Sequence, residues 1–339
     1  MTGNDDDRDE ATVVLNGKAS HVTVVIVNFN SGDYLARAVE ALKAQTYRAF
    51  TTVVVDNAST DDSLSRMREH FPDVKVINAT QNLGFAGGNN LAVSQCGNSE
   101  WIALLNPDAF PDRGWLNHLL LAAAANPDFS CFASHIVFDS NPAKLDGAGD
   151  EYHVSGFAWR RGQGLGAASQ FADCEVFMAS ATAALYRKAA FEHAGGFDER
   201  YFCYYEDVDL GVRLRLLKYR SWYVADAVVR HVGSGITGKG SAFVARHTQR
   251  NRIWTYVKDM PTPWIWLLLP LHIFYQTLAL LHYTRQGRLK AALHGTLEAL
   301  QGLPPILESR RSIQNGRRAS WKEFTRTMRW SLLAPLFRK

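Results

Sequence analysis

The chain has 339 residues, 47% of them hydrophobic and 21% charged, with a formal net charge of +4. That length holds one large domain or a domain with an appendage, and the composition is that of a globular protein. The cysteines Cys96, Cys131, Cys174 and Cys203 are scattered and make no Cys-x-x-Cys pair. That leaves neither a zinc site nor a redox motif, and fits a reducing cytoplasm.

The acidic, polar start, Met1–Glu10, lacks a positive segment followed by an apolar core, so it does not read as a signal peptide; residues 1–21 are expected to be a disordered acidic extension. Val22–Val27 reads as the first strand. Tyr34–Gln45 follows as a helix, with Leu35, Val39 and Leu42 at helical spacing and Ser31 or Asp33 as its cap. Strands at Thr51–Val55, Val74–Asn78 and Trp101–Leu105 alternate with helices at Asp62–Glu69 and Ala86–Gln95. This alternation predicts a mostly parallel, Rossmann-like sheet with helices on both faces. A helix at Gly114–Ala125 and a strand at Ser130–Phe138 continue it. Asp139–Gln170 is glycine-rich with poor periodicity and reads as a long loop, of the kind that is functional or mobile. Helices return at Arg187–Ala194 and Asp207–Lys218, the second starting on acidic residues, where a helix N-terminus favours negative charge.

Beyond Asp259 the character changes. Met260–Thr284 is 25 residues without Asp, Glu, Lys or Arg. Its length suits a membrane span, but Pro261, Pro263, Pro270, His272, Gln276 and His282 interrupt it. A segment lying in the membrane interface, a re-entrant hairpin with Ala291–Leu307, and a buried core helix are the alternatives. From Arg285 to Lys339 there are 12 basic and 3 acidic residues. Such a basic tail points to a polyanionic partner, and the uncharged segment before it favours a membrane surface over nucleic acid.

Three acidic motifs follow hydrophobic runs: Asp56-Asn57-Ala58-Ser59-Thr60-Asp61, Asn106-Pro107-Asp108, and Glu206-Asp207-Val208-Asp209. A carboxylate at the carboxyl end of a buried strand opens onto the crevice where α/β sheets bind ligands. Asp56 suits a hydrogen bond from the imide N–H of uracil or thymine; Ser59 and Asp61 cap the next helix, and Asp56 alone could be a cap too. In Asn82–Asn89, glycines let backbone N–H groups approach a phosphate, and a helix starting at Ala86 would aim its positive end there. The stretch is not a Gly-x-Gly-x-x-Gly fingerprint and follows the third strand, which disfavours a dinucleotide-binding dehydrogenase.

Together with Val27-Asn28-Phe29-Asn30-Ser31 and Gly195-Gly196-Phe197-Asp198-Glu199, these motifs resemble the inverting family 2 glycosyltransferases of the GT-A fold, over about Val22 to His231. Rhamnosyltransferases of O-antigen and cell-wall polysaccharide assembly are the nearest likeness. The resemblance implies a GT-A domain over residues 22–252 and a C-terminal helical membrane-associating region over 253–339. It implies donor-nucleotide contacts at Asn28, Phe29, Asp56, Asn57, Ser59, Asp61, Asn82, Gly84, Phe85, Ala86, Gly88, Asn89, Asn106 and Asp108. Asp108 and His231 would hold Mg²⁺ or Mn²⁺ on the donor diphosphate, although neutral Asn106 departs from the family's Asp-x-Asp. Asp207 would be the base and Glu206 its support; Arg250 and Arg252 would reach the diphosphate or lipid phosphates. The expected activity is inverting transfer of a sugar, dTDP-rhamnose or a UDP-sugar being the donor, to a lipid-linked saccharide at the cytoplasmic face of the plasma membrane. Two rivals are kept. A nucleotidyltransferase would need a glycine-rich basic loop after the first strand, where this chain has Asn28–Asp33. A non-catalytic sugar- or nucleic-acid-binding protein would leave Asp108 and Asp207 without a purpose.

Overall fold

The computed structural model describes residues 14–15, 18–19, 21–167, 171–233 and 241–335. Most of the expected acidic extension lies outside them; Val14–Leu15 and Lys18–Ala19 form a small antiparallel ladder.

The main sheet grows from β1 (Val22–Asn28), every residue of which is buried. A short β-branched run of this kind suits a strand covered on both faces. β1 is flanked by β2 (Phe50–Asp56) and β4 (Trp101–Leu105), with β3 (Lys75–Asn78) beyond β2, all parallel. Side-chain alternation divides the core. Val22, Val24 and Ile26 pack under α1 (Tyr34–Lys43), α2 (Ser63–His70) and, further along the sheet, α4 (Trp115–Ala125). Val25 and Val27 face α3 (Gly84–Ser94) on the opposite side, where α5 (Lys188–His193) and α6 (Glu206–Leu216) complete the layer. Helices on both faces are therefore present as expected.

The other half of the sheet is mixed. β11 (Ala183–Arg187) runs antiparallel to β4 and to β6 (Cys131–Phe138). β12 (Ser221–His231) lies parallel to β6, while β5 (Ala109–Pro111) and β10 (Cys174–Val176) lie antiparallel to β12. The segment expected to be a long loop is strand-rich instead. β7 (Asn141–Ala148) pairs with β6, and β8 (Asp150–Tyr152) forms a hairpin with β9 (Ala158–Arg160). Its polar residues hid the pattern, because several of them are buried rather than facing water, Asp146, Asp150 and Glu151 among them.

The boundary expected at residue 252 falls inside α7 (Ala242–Asp259) and is not a boundary. Tyr152, Phe177, Val208 and Val212 share one apolar cluster with Tyr256, Met260, Ile265, Phe324 and Met328. Lys258, almost fully buried, places Nζ 2.6 Å from Asp198 and 2.5 Å from Asp209. The rest of the tail, α8 (Trp264–Leu267), α9 (Leu269–Arg285), α10 (Leu289–Gln301), α11 (Leu303–Gly316) and α12 (Trp321–Thr325), wraps back onto the body. Trp254 donates to the Ala299 carbonyl at 3.0 Å, and Arg310 to those of Val257 and Met260 at 2.9 and 2.6 Å. The uncharged stretch is split between α8 and α9. Ile265, His272 and Tyr275 are buried while Trp266, Leu267, Ile273 and Phe274 are more than half exposed. No helix among the described residues is long and apolar enough to cross a membrane.

Candidate active site

The strand ends meet as register dictates. Asn28 closes β1 opposite Asp56 at the end of β2. The Asn28 amide donates to Asp56 Oδ1 at 2.9 Å, Ser59 Oγ at 3.0 Å and Ser63 Oγ at 2.9 Å. Asn28 is wholly buried, so it orients Asp56 and does not itself face a ligand. Asp56, Ser59 and Asp61 line a side pocket of about 540 Å³ together with Leu64 and Arg68.

A larger cleft of about 710 Å³ opens beside it, lined by Phe29, Asn57, Asn82, Gly84, Phe85, Asn106, Asp108, Glu206, Asp207 and His231. Most of the expected residues thus converge, but not all act as expected. The N–H groups at the start of α3 are already engaged: Leu83 N bonds Asn57 Oδ1 at 2.9 Å, Gly84 N bonds Asn82 Oδ1 at 2.9 Å, and Ala86 N bonds the Phe202 carbonyl at 3.1 Å. These groups hold the loop and do not cradle a phosphate. Gly84, at φ +71°, leaves room for Phe202; a Cβ there would sit 2.4 Å from the Phe202 carbonyl oxygen. Gly88 lets α3 lie on Val27, and Asn89 donates to the Phe85 carbonyl at 2.8 Å, so both shape the helix rather than the cleft. Arg250 and Arg252 are likewise corrected. Arg250 stacks over Trp254 and donates to the carbonyls of Arg200 and Tyr201; Arg252 is buried over Phe157 and bonded to Gln276. Neither lines the cleft.

One end of the cleft is built by the pairing of β5 with β12, which sets His231 opposite Ala109, next to Asp108. His231 Nε2 lies 3.4 Å from Asp108 Oδ1, and Nδ1 lies 2.7 Å from Asp146 Oδ2. Burial alone would push this imidazole down; Asp108 and Asp146 outweigh it and hold it above its ordinary value. Burial would raise Asp146, but Arg160 and His231 together hold it well below the usual carboxylate range. Arg160 also donates to Thr182 Oγ1 at 2.7 Å. Asn106 donates its backbone N–H to Thr182 at 2.8 Å and leaves its buried side-chain Oδ1 without a partner. This end offers a carboxylate, an imidazole anchored through its far nitrogen as ligating histidines are, and a spare amide oxygen. No cluster of three or more His, Cys, Asp and Glu fit to hold a metal occurs among the described residues. The residues present fit a hard cation whose remaining oxygens come from a phosphate-bearing ligand.

The other end is the start of α6. Phe202, Tyr204 and Tyr205 precede it with φ of 65°, 66° and 70°, the left-handed region that large side chains rarely adopt. Asn251, wholly buried on α7, fixes them by donating to the carbonyls of Tyr201, Cys203 and Tyr204 at 3.0, 3.0 and 2.6 Å. The segment delivers Glu206 and Asp207 to the cleft. Asp207 Oδ1 accepts from its neighbour Val208 N at 2.9 Å and Oδ2 from Ala181 N at 3.3 Å. Burial raises Asp207 above the usual aspartate value, against those backbone bonds and Arg160. Burial, and then Asp207, push Glu206 well up, and its buried Oε2 has no partner. Asp209 turns away, bonding Arg213 at 2.7 Å. A partly buried, raised carboxylate facing the Asp108–His231 end across one cleft is equipped to take a proton from a hydroxyl.

Asp146, Asp150, Arg160 and Asn251 escaped the sequence reading. The first three lie in the segment taken for a loop, where two acids around a Gly-Ala-Gly were the only sign. Asn251 showed itself only as an amide in a helix that otherwise reads as apolar and basic.

A family model, Glycosyl transferase family 2, matches residues 23–195. An N-acetylglucosaminyl-diphospho-decaprenol L-rhamnosyltransferase of Mycobacterium tuberculosis is 30% identical over 264 residues, covering 71% of this chain and 85% of that protein. An O-antigen chain rhamnosyltransferase of Salmonella typhimurium is 24% identical, covering 62% and 66%. Among solved structures, a mannosyltransferase of Pyrobaculum calidifontis in complex with GDP-Man and Mn²⁺ superposes with a TM-score of 0.52 at 18% identity, covering 87% of this chain and 85% of that one. GalNAc-T7 with UDP, GalNAc and Mn²⁺ gives 0.56 at 15%, covering 72% of this chain and about half, 52%, of its own. The fold is that of GT-A glycosyltransferases. The chain belongs to glycosyl transferase family 2 and is a glycosyltransferase.

Proposed function

We propose that this enzyme transfers L-rhamnose with inversion from a nucleoside diphosphate donor, dTDP-rhamnose before UDP-sugars, to a lipid-linked saccharide in surface polysaccharide assembly. The observation that carries the reading is Asp207, raised and partly buried across the cleft from Asp108 and His231. The acceptor hydroxyl attacks the anomeric carbon from the face opposite the diphosphate. Asp207 takes the hydroxyl proton as the new C–O bond forms and the old one breaks, and the nucleoside diphosphate leaves with the bonding pair. Asp56, oriented by the Asn28 amide, would accept the imide N–H of the donor's nucleobase. Asp108, His231 and the Asn106 amide oxygen would hold Mg²⁺ or Mn²⁺, which supplies charge neutralisation for the departing diphosphate. The rhamnosyltransferase relatives support the sugar, and the diphospho-decaprenol in one relative's name supports a lipid-linked acceptor.

The exposed apolar residues of α8 and α9 and the basic tail behind them support attachment to an anionic membrane at its cytoplasmic face. The helices pack on the body, so an interfacial face replaces the span.

The test is a panel of dTDP-, UDP- and GDP-sugars with prenyl-diphosphate acceptors, scored for nucleoside diphosphate release and for the anomeric configuration of the product. Release of nucleoside diphosphate with an inverted product from dTDP-rhamnose is expected, suppressed by EDTA and restored by Mn²⁺ or Mg²⁺. Pyrophosphate release would instead indicate a nucleotidyltransferase. A retained anomer would remove Asp207 as the base.

A further inference from the structure

Several carboxyl groups crowd this cleft, and most are accounted for. Asp108 faces His231, Asp146 serves His231 and Arg160, and Asp207 is held by two backbone N–H groups. Asp150 is not. It lines the cleft and is 7% exposed, yet its buried Oδ1 has no hydrogen-bond partner. A buried carboxyl oxygen left unpaired costs folding free energy, so the fold tolerates it for a reason outside local packing.

The group is also held firmly. β8 and β9 set Asp150 directly across the ladder from Arg160, so both side chains point to the same face. Asp150 N donates to the Met178 carbonyl at 3.0 Å, three residues before Ala181, whose N–H holds Asp207. Ala158 N donates to the Tyr205 hydroxyl at 3.1 Å, which ties the hairpin to the residue that precedes the acidic pair. Two carboxyls, one anchored and one unpartnered, are therefore presented over one stretch of backbone.

We propose that Asp150 is a sugar-binding residue of this site, its unpartnered oxygen taking a saccharide hydroxyl next to the reacting centre. A carboxyl that binds one hydroxyl of a ring fixes the orientation of its neighbours, which is how a few polar groups set specificity in such pockets. Burial and the charge of Asp207 push Asp150 well above the usual aspartate value. Its carboxyl can thus donate a hydrogen bond to the sugar as well as accept one. The assignment rests on the transferase reading above. The hydroxyl belongs either to the donor sugar or to the acceptor sugar, and kinetics separate the two.

The experiment compares the full chain with Asp150→Asn, which keeps the shape, and Asp150→Ala. Titration calorimetry with dTDP and UDP checks the nucleotide end, and steady-state rates are measured with the donor sugar and the acceptor varied in turn. For both variants, nucleoside diphosphate affinity within twofold of wild type is expected. With it, kcat/KM should fall about 10–100-fold for Asp150→Ala, the worth of one hydrogen bond to a group of this kind, and less for Asp150→Asn. A rise confined to the acceptor KM places the hydroxyl on the acceptor; a rise confined to the donor KM places it on the donor sugar. Unchanged kinetics with both substrates overturn the proposal. So does a loss of nucleotide affinity equal to the kinetic loss, which would mark a structural role. A wild-type chain inactive with every pair overturns the proposed donor and acceptor, and this assignment with them.

Discussion

Asn251→Ala tests how the proposed base, Asp207, is held in place. The wild-type amide satisfies carbonyls of Tyr201, Cys203 and Tyr204 from a fully buried position. An amide has two hydrogens, so about two full bonds are lost, at roughly 1 kcal/mol each; the Tyr201 carbonyl keeps Arg250 and Cys203 N, while those of Cys203 and Tyr204 left behind cost about 1–3 kcal/mol apiece. The segment they stabilise has Phe202, Tyr204 and Tyr205 at positive φ, each strained by roughly 1–3 kcal/mol. The two sums are comparable, so without the amide the segment relaxes. Tyr205 leads directly into Glu206 and Asp207, and a shift near 1 Å at a reacting group costs on the order of 10²-fold in rate. We expect kcat to fall about 10–100-fold while calorimetry shows nucleoside diphosphate affinity close to wild type, since Asp56, Asn57 and Asp108 stand on other elements. Asn251→Asp keeps the size but cannot donate, and should be at least as damaging as alanine. A kcat within twofold of wild type for Asn251→Asp would refute the reasoning.

Three other predictions concern the acids and the tail. Asp207→Asn should lower kcat by roughly 10²–10⁴-fold; the wild-type rate should fall as pH drops through the raised Asp207 value, and the variant should lack that acidic limb. Glu206 is raised in the fold, so its stabilising contribution is full below the ordinary glutamate value and is lost as pH rises through the raised one. Glu206→Gln should therefore raise the melting temperature at neutral pH and flatten its dependence on pH; a variant that melts lower at pH 7 than wild type would count against a buried, unpaired carboxyl. A chain ending near Lys258 should fail to fold rather than yield a soluble enzyme, because Met260, Ile265, Phe324 and Met328 complete the cluster under α6; a cooperative melt together with dTDP binding by that fragment would contradict the packing.

The parts legible in sequence were those with a period. β1, β2 and β4 stood out as short apolar runs, and α1 as Leu35, Val39 and Leu42 on one face. The acids at strand ends were legible because the sheet's geometry gives them one place to go. The segment 139–170 was opaque for the opposite reason. Asp146 and Glu151 are buried there against partners elsewhere in the sequence, Arg160 and Arg329, and Asp150 beside the like charge of Asp207. No local pattern encodes such pairings. The Asn82–Asn89 stretch was legible as a turn rich in glycine and amides, but not as one whose N–H groups bond to Asn57, Asn82 and Phe202. Proline and the lack of charge made Met260–Thr284 look like a break between domains. In the fold, Tyr256 stacks on His272, and His272 donates to the Ser155 carbonyl at 2.7 Å, which joins the two halves.

The pairing of Arg329 with the β8–β9 hairpin has a bearing on how the cleft wall is completed. Arg329 N donates to the Tyr152 carbonyl at 2.9 Å, Val154 N donates back to the Arg329 carbonyl at 3.1 Å, and the guanidinium binds Glu151. A hairpin specified near residue 150 is thus finished by backbone made some 180 residues later in the chain. The wall bearing Asp150 is therefore completed only once the backbone around Arg329 has joined it. Loss of Arg329 and its neighbours would therefore take the backing from that wall without touching the parallel half of the sheet.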